Sequence, residues 1–391
     1  MSVRTARLGD IADDLRSGFA CGIDDPNGTI QFRMNNIERD GTLNWTKIRR
    51  VPMKKVKEEL TLKSGDILLN VTNSPDLVGK TALFKGADEA MTFSNHFLRL
   101  RTRVDWAEPA YVARWLRRQF ELGCFKAMCR SWVNQASVTR DQISNLEIPL
   151  PPLDEQRRIA AILDKADSLR QKRKQAIALL DSLTQSIFLE MFGDQKHKTR
   201  KLSALVELIN GDRSSKYPSG DDIQTSGIPF LSTKNIRNSK LDLEKCDFIT
   251  KAKFESLSRG KLKRGDIIIT LRGTLGSAAI FDTCFETGFI NAQMMIIRVG
   301  NEITPRYLLD YITNQKTRKE LLRTQSGSAV RQLTARQVGE LEIPVPTRSD
   351  QQRYTDNVDA IRAYGTKLLR QLAIFEEFFT SLQHRAFTGE L

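Results

Sequence analysis

The chain has 391 residues, with 61 lysines and arginines against 47 aspartates and glutamates, so its net charge is +14. This length predicts two or three domains, and the positive charge favours a polyanionic partner, most simply nucleic acid. The N-terminus has no apolar signal segment, and no apolar run approaches the ~18–20 residues of a membrane span. We therefore expect a cytoplasmic protein and exclude the secreted and membrane classes.

In chain order, the first part of the sequence mixes short strands with helices. Strand-like runs at 66–71 and 266–271 each follow a Gly-Asp turn, and helical stretches at 110–120 and 305–315 intervene. This pattern predicts compact α/β domains. Prolines then precede a long helical segment in two places. The predicted organisation is an α/β domain over 1–150, a central long helix over 151–194, a second α/β domain over 195–346 and a C-terminal long helix over 347–391.

The chain repeats itself. LEIPLPPLDEQRR at 146–158 matches LEIPVPTRSDQQR at 341–353 with an offset of 195, and LKSGDILLN at 62–70 matches LKRGDIIIT at 262–270 with an offset of 200. The starts of the two copies and a Pro-x-Tyr segment also match in the same order. Four collinear matches at nearly constant offset argue against chance similarity and predict two copies of a unit of ~190 residues.

An apolar stripe with steps of three and four residues follows each proline segment, as in a heptad pattern. The two stripes align at an offset of 199, which predicts four extra residues in the second copy. Each helix would span ~35–40 residues, or ~55 Å. We expect the two helices to pair as an antiparallel coiled coil; the alternative is two amphipathic helices, each packed on its own domain. The predicted seam comprises Ile159, Ile162, Leu169, Leu180, Leu183 and Ile187, and Val358, Ile361, Leu368, Leu372, Phe375, Phe379 and Leu382.

In its repeated proline and Gly-Asp segments, its long helices and its terminal AFTGEL, the chain resembles the specificity subunits of type I restriction–modification systems. The resemblance implies an α+β fold with a pseudo-two-fold internal repeat, in which the two long helices separate two target recognition domains. It also implies a DNA-binding protein without catalytic activity of its own. Its partners would be methyltransferase subunits, in two copies because the chain repeats, and motor–nuclease restriction subunits. S-adenosylmethionine, Mg and ATP are expected on those partners.

No catalytic, cofactor-binding or metal-binding residue is predicted in this chain. The segment SPDLVGKT at 74–81 resembles a phosphate-binding loop, but serine replaces its first glycine. Neither the Gly-rich loop nor the Asn/Asp-Pro-Pro-aromatic motif of an adenine methyltransferase occurs. The five cysteines and three histidines do not form pairs at zinc-ligand spacing, and their number and placement favour a reducing compartment.

Polar side chains in corresponding loops of both copies are candidates for reading DNA, because sequence is read by hydrogen bonds to base edges. In the first copy they are Arg33, Asn35, Asn36, Asn73, Ser74, Lys80, Asn95, His96, Arg130, Ser131, Asn134 and Gln135. In the second copy they are Thr233, Lys234, Asn235, Arg237, Arg272, Thr274, Asn291, Gln293, Ser326, Ser328, Arg331 and Gln332.

Because these loops differ between the copies, we expect a bipartite, asymmetric target with two different half-sites. A rod of ~55 Å corresponds to one to two turns of DNA between them. Two alternatives stay open at this point. One is a DNA-bridging protein with little sequence preference, and the other is a self-contained restriction or methylation enzyme.

Overall fold

The computed structural model describes residues 4–132, 135–193, 197–323 and 332–391, without the side chains of Ser131, Trp132 and Asp181. The chain divides into two compact units. Unit 1 comprises Met1–Gln175 with Leu369–Leu391, and unit 2 comprises Ala176–Leu368. Within the described ranges, no helix is both long and apolar enough to span a bilayer.

Unit 1 contains twelve short strands within the described residues and an α/β domain built on them. Its helices are α1 (Leu8–Ile11), α2 (Pro109–Glu121), α3 (Cys124–Met128), α4 (Arg140–Ser144) and the first part of α5 (Leu153–Phe192). Its strands are β1 (Thr5–Arg7), β2 (Ala12–Ser17), β3 (Thr29–Phe32), β4 (Arg50–Val51), β5 (Ile67–Asn70), β6 (Thr72–Asn73), β7 (Thr81–Leu83), β8 (Met91–Phe93), β9 (Phe97–Thr102), β10 (Arg130–Trp132), β11 (Gln135–Ser137) and β12 (Glu147–Pro149).

Unit 2 has a matching set of elements. Its helices are the rest of α5, then α6 (Lys251–Ser256), α7 (Pro305–Thr313), α8 (Gln315–Arg323), α9 (Ala335–Gly339) and the first part of α10 (Arg348–Thr388). Its strands are β13 (Thr199–Lys201), β14 (Val206–Asn210), β15 (Ile223–Gln224), β16 (Ile228–Leu231), β17 (Ile236–Arg237), β18 (Lys240–Leu241), β19 (Asp247–Ile249), β20 (Lys261–Lys263), β21 (Ile267–Thr270), β22 (Ala278–Ile280), β23 (Thr287–Ile290), β24 (Met294–Val299) and β25 (Glu342–Pro344).

A four-stranded sheet and a parallel strand pair have the same topology in both units. An antiparallel four-stranded sheet has the order β2-β9-β5-β7 in unit 1 and β14-β24-β21-β22 in unit 2. One of its two inner strands, β5 or β21, is buried along its whole length, which explains the continuous aliphatic runs in both sequences. A parallel pair follows in each unit, β3 with β8 and β16 with β23. The internal repeat is therefore a structural repeat.

The repeated Gly-Asp segment is a structural turn. Gly65 and Gly265 have φ values of +92° and +87°, a conformation that glycine adopts without steric cost. The buried Asp66 accepts a hydrogen bond from the backbone N–H of Lys63 at 2.8 Å. It also receives Nε and Nη2 of Arg101, each at 2.7 Å. Asp266 makes the equivalent bonds in unit 2, so this motif fixes the start of the inner strand.

The repeated glutamine after the proline segment anchors each long helix to its domain. Gln156 accepts a hydrogen bond from Glu108 N–H at 2.9 Å and donates to the carbonyls of Trp106 and Pro151. Gln351 makes the same three bonds in unit 2, accepting from a backbone N–H at 2.7 Å. Both glutamines are buried. The motif therefore ties the start of each long helix to the backbone that precedes α2 or α7.

Within unit 1 the segments of α5 and α10 run antiparallel. Arg158 Nη2 donates to the carbonyl of Leu391 at 2.9 Å, and Arg170 Nη1 lies 3.0 Å from a carboxylate oxygen of Glu376. The guanidinium of Arg170 also covers the ring of Phe379, 4.5 Å from its centroid. Residue numbers therefore rise along one helix as they fall along the other.

The helix segments of unit 2 are antiparallel as well. The ring of Phe188 packs edge-on against Tyr354, with 5.5 Å between centroids. Further along, Gly365 lies against Leu180, because a Cβ at the glycine would stand only 3.3 Å from Leu180 Cδ1. This close approach leaves little room for a larger residue. The antiparallel pairing predicted from the sequence is thus present in each unit.

The predicted seam was wrong in part for α5. Leu169 and Leu183 are 47% and 44% exposed, whereas Leu163, which the prediction omitted, is fully buried. The buried stripe begins Ile159, Leu163, Ala166, Arg170. In unit 1, Phe379 is buried and Leu372, Phe375 and Leu382 are half-buried. In unit 2, Val358 is buried and Leu180, Ile187, Ile361 and Leu368 are half-buried, as Ile162 is in unit 1.

The predicted offset of 199 between the helices was wrong for the same reason. Gln156 and Gln351 make equivalent bonds at an offset of 195, and the buried Leu163 and Val358 keep that offset. No four-residue insertion therefore follows the glutamine. The domain limits predicted from the sequence stay predictions, since the compact units divide the chain inside both helices.

Candidate nucleic-acid interface

A short turn follows the first strand of each parallel pair and is held by a buried asparagine. Asn36 accepts a hydrogen bond from Arg33 N–H at 2.8 Å and donates to the carbonyl of Asn44 at 3.0 Å. Asn235 repeats the arrangement, accepting from Ser232 N–H at 2.8 Å and donating to a carbonyl at 3.0 Å. Both side chains are almost fully buried. The prediction that they read bases was wrong, because their polar atoms are committed to the turn.

The turns present their middle residues instead. Met34 and Asn35 are exposed in unit 1, and Lys234 is exposed beside the half-buried Thr233 in unit 2. The same backbone device thus displays different side chains in the two units. Such a difference is what separate base preferences require.

Lys80 is also a structural residue. Its ammonium donates to the carbonyls of Met34, at 3.0 Å, and Ile37, and it is only 6% exposed. Burial lowers the pKa of Lys80. The lysine therefore ties the loop between β6 and β7 to the turn, and the prediction that it contacts DNA was wrong.

Four of the predicted residues line one cleft of about 570 Å³ in unit 1. Asn35 and Asn95 are exposed, whereas Arg33 and His96 are half-buried. Arg49, which sequence reasoning missed, lines the same cleft and pairs with Asp24. The cleft thus collects donors and acceptors from three separate loops, as a base-reading or phosphate-binding surface needs.

Unit 2 has a cleft of about 630 Å³, the unit 2 cleft, lined by three arginines: Arg213, Arg259 and Arg272. The buried Asp212 organises its rim by accepting bonds from the backbone N–H groups of Ser214, at 2.7 Å, and Ser258, at 3.1 Å. Burial raises the pKa of Asp212, but these bonds outweigh burial and hold the pKa well below its usual range. The carboxylate is therefore charged, and the loops it joins are fixed.

Sequence reasoning missed Arg213 and Arg259. Both are exposed on the rim of the unit 2 cleft, where they can contact phosphates. The prediction omitted them because it considered only polar residues in loops that correspond between the two copies. The Gly-Asp-Arg-Ser-Ser run at 211–215 is a signal that could have indicated a charged turn.

Arg272 and Gln332, both predicted, come together in this cleft. Arg272 Nε donates to Gln332 Oε1 at 3.1 Å, and both side chains are half-buried. The two residues come from separate segments, 60 positions apart in the chain.

The remaining candidates lie on nearby loops. Asn73 donates to Asn70 Oδ1 at 2.7 Å and accepts from the backbone N–H of Ser74 at 2.9 Å. Asn291 accepts from the backbone N–H of Gln293 at 3.0 Å. Exposed positions are taken by Arg130, Gln135, Arg237, Thr274 and Gln293. Asn134, Ser326, Ser328, Arg331 and the side chain of Ser131 lie outside the described residues.

Two basic copies of one fold, each with a polar cleft and its own displayed side chains, define an internally duplicated nucleic-acid-binding protein. The model of the type I restriction modification DNA specificity domain matches the chain twice, over residues 5–179 and 195–373. The chain therefore belongs to the type I restriction–modification DNA specificity family, and it is a DNA sequence-specificity subunit. The family and fold class predicted from the sequence are confirmed.

Known relatives match along most of the chain. A putative type I restriction enzyme MjaX specificity subunit of Methanocaldococcus jannaschii is 26% identical, over 90% of this chain and 85% of its own length. The type I restriction enzyme EcoKI specificity subunit of Escherichia coli K12 is 22% identical, over 92% and 82%.

Solved structures share the fold. A chain from a study of complex assembly and conformational transition in the type I R-M system matches with a TM-score of 0.62 at 18% identity, covering 100% of this chain and 98% of that one. The type I restriction–modification S subunit from M. genitalium matches with a TM-score of 0.59 at 16% identity, covering 98% and 96%.

Proposed function

We propose that this subunit reads a bipartite, asymmetric DNA target, with one half-site for each unit and unread base pairs between them. The observation that carries the proposal is the repeated turn. Asn36 and Asn235 hold the same backbone, yet the displayed residues are Met34 and Asn35 in one unit and Thr233 and Lys234 in the other. A DNA-bridging protein without sequence preference would have no need of this difference.

The chain acts in the cytoplasm as a non-catalytic subunit in this proposal. Partner methyltransferase subunits transfer a methyl group from S-adenosylmethionine to adenine, and motor–nuclease subunits use ATP and Mg to cut DNA. The support is that the sequence carries no cofactor loop and no methyltransferase motif.

Two methyltransferase copies dock on this chain, one on each unit. The support is a set of exposed apolar side chains on the long helices that repeat at the offset of 195. Leu169 corresponds to Tyr364, and these side chains are 47% and 56% exposed. In the same way, Leu179 corresponds to Ile374 and Leu183 to Phe378. Exposed apolar patches of this kind mark interaction surfaces. The exposed apolar residues of these pairs are Leu169, Ile374 and Phe378 in unit 1, and Tyr364, Leu179 and Leu183 in unit 2.

Charged substitutions test this docking. Ile374 and Phe378 lie one helical turn apart, as do Leu179 and Leu183, so each pair shares a helix face. The double variant Ile374→Asp/Phe378→Asp should lose one methyltransferase copy, and Leu179→Asp/Leu183→Asp should lose the other. Light scattering coupled to gel filtration gives the mass of each complex. Complexes of unchanged mass in both variants would contradict the docking proposal.

Mapping of methylated adenines tests the function itself. The methyltransferase partner should modify a defined bipartite sequence in a methylation-free host only when this chain is present. The purified chain alone should neither methylate nor cut DNA. Methyl transfer by the isolated chain would contradict the proposal, and so would methylation by the pair without a common sequence.

A further inference from the structure

The structure places a matched pair of side chains at equivalent positions of the two units. In unit 1, Val138 N–H donates to the carbonyl of Val71 at 3.0 Å; in unit 2, Leu333 N–H donates to the carbonyl of Leu271 at 2.9 Å. The backbones at these positions therefore correspond.

The neighbouring residues differ in chemistry. The residue after Val71 is Thr72, and its cross-strand partner is Ser137, the residue before Val138. In unit 2 the same positions hold Arg272 and Gln332, which are joined by their side-chain hydrogen bond. One backbone arrangement thus presents two hydroxyls in unit 1 and a guanidinium with an amide in unit 2.

We propose that Arg272, oriented by Gln332, reads a guanine in the half-site of unit 2. This inference rests on the proposed function and names one base pair of its target. The bond from Nε fixes the guanidinium plane, and among the described residues the Arg272 side chain makes no other hydrogen bond. Its two terminal nitrogens can then donate in parallel to guanine O6 and N7, the pairing that arginine makes most often with a base.

A phosphate is the other planar acceptor that an arginine binds. The comparison between the units favours the base. The DNA backbone is chemically the same under both units. A position that binds a phosphate in unit 2 should therefore carry a cation in unit 1 as well, whereas unit 1 has Thr72 there. A base-reading position changes whenever the half-sites differ.

The surroundings support the same assignment. Arg213 and Arg259 line the same cleft and are exposed, so they supply positive charge for phosphates. Arg272 is half-buried and follows the buried Leu271, and its bonding partner Gln332, a neutral amide, precedes the buried Leu333. A guanidinium held in this way keeps its charge and loses little side-chain freedom on binding.

The test is the methylation pattern of the complete complex with its methyltransferase partner, mapped across a host genome. The wild-type target should contain a G·C pair in the half-site of unit 2, identified as the half-site that survives exchange of residues 1–148. Arg272→Ala should lower the preference for that pair roughly tenfold to a hundredfold and leave the other positions unchanged. Arg272→Thr/Gln332→Ser, which copies unit 1, should do the same.

Gln332 is a positioning residue. Recovery of the base preference by a conservative substitution distinguishes this role from a purely structural one. Gln332→Ala should weaken the preference at the same base pair, by less than Arg272→Ala. Gln332→Glu should restore it, because a carboxylate also accepts from Nε. The matched control Arg259→Ala should weaken binding at all sequences alike and reduce its salt dependence.

Two results would overturn the inference. One is uniform weakening by Arg272→Ala with a salt slope reduced by about 1 and every base preference intact, which indicates a phosphate contact. The other is a unit 2 half-site without a G·C pair. A wild-type complex that methylates without any common sequence would instead contradict the proposed function.

Discussion

Two leucines on α5, six residues apart, test the observed helix packing against the one that the heptad pattern predicts. Leu163 is fully buried in the core that α5 shares with α2 and α10 in unit 1, whereas Leu169 is 47% exposed. We expect Leu163→Ala to destabilise unit 1 by about 3 kcal/mol, because the substitution removes buried methyl groups and leaves a cavity. Leu169→Ala should cost less than ~0.5 kcal/mol.

Calorimetric unfolding of the purified chain measures this difference. For a unit of about 200 residues, each kcal/mol shifts the midpoint by ~2–4 °C, so Leu163→Ala should lower the unit 1 transition by ~6–12 °C. Leu169→Ala provides the control, with the same residue type on the same helix. Equal shifts in both variants would refute the buried stripe, and a larger shift for Leu169→Ala would restore the seam predicted from the sequence.

Three further substitutions probe the buried polar groups. Asn235→Ala should cost ~1–3 kcal/mol, since it removes the side-chain partner of two backbone groups in the turn, and urea unfolding of unit 2 should show the loss. Gln351→Ala should destabilise the start of α10, visible as faster hydrogen exchange there; unchanged exchange would argue against the anchor. Burial raises the pKa of Asp167, but Arg117 and Arg114 outweigh it and lower the pKa to about 2. Because this pKa is below the ordinary 3.8, the stabilisation is present above pH ~4 and is lost as the pH falls towards 2. Asp167→Asn should therefore cost ~3–5 kcal/mol at neutral pH, against less than ~1 kcal/mol for the more exposed Asp164→Asn, and comparable losses in thermal unfolding would argue against the buried network.

The repeat was predictable because its signals are local. Gly65 and Asp66 reappear as Gly265 and Asp266 since a left-handed turn and a buried carboxylate are needed at the same place. Such motifs depend on a few adjacent residues, so a sequence comparison finds them without any structure.

The helix register was not predictable in full. Ile162 and Leu163 are adjacent aliphatic residues, and either fits a stripe with steps of three and four. Only the packing of α2 against α5 decides which one is buried, and Arg170 takes a buried position through its contact with Phe379. The predicted stripe omitted this charged residue, because its stacking on an aromatic ring cannot be recognised from the sequence.

Adjacent asparagines show why the candidate site was only partly predictable. Asn35 and Asn36 have the same chemistry, yet Asn35 is exposed and Asn36 is buried in the turn. The difference depends on the carbonyls of Asn44 and Lys47, which tertiary folding brings to Asn36. Sequence identifies the loop, whereas the fold decides which of its side chains faces outward.

The most direct test of the account is an exchange of one recognition domain. Residues 1–148 would be replaced by those of a relative with the same long helices, and methylated adenines would be mapped in the presence of the methyltransferase partner. The account predicts that one half-site changes while the other half-site and the gap persist. A variant that altered both half-sites, or neither, would contradict the assignment of one half-site to each unit.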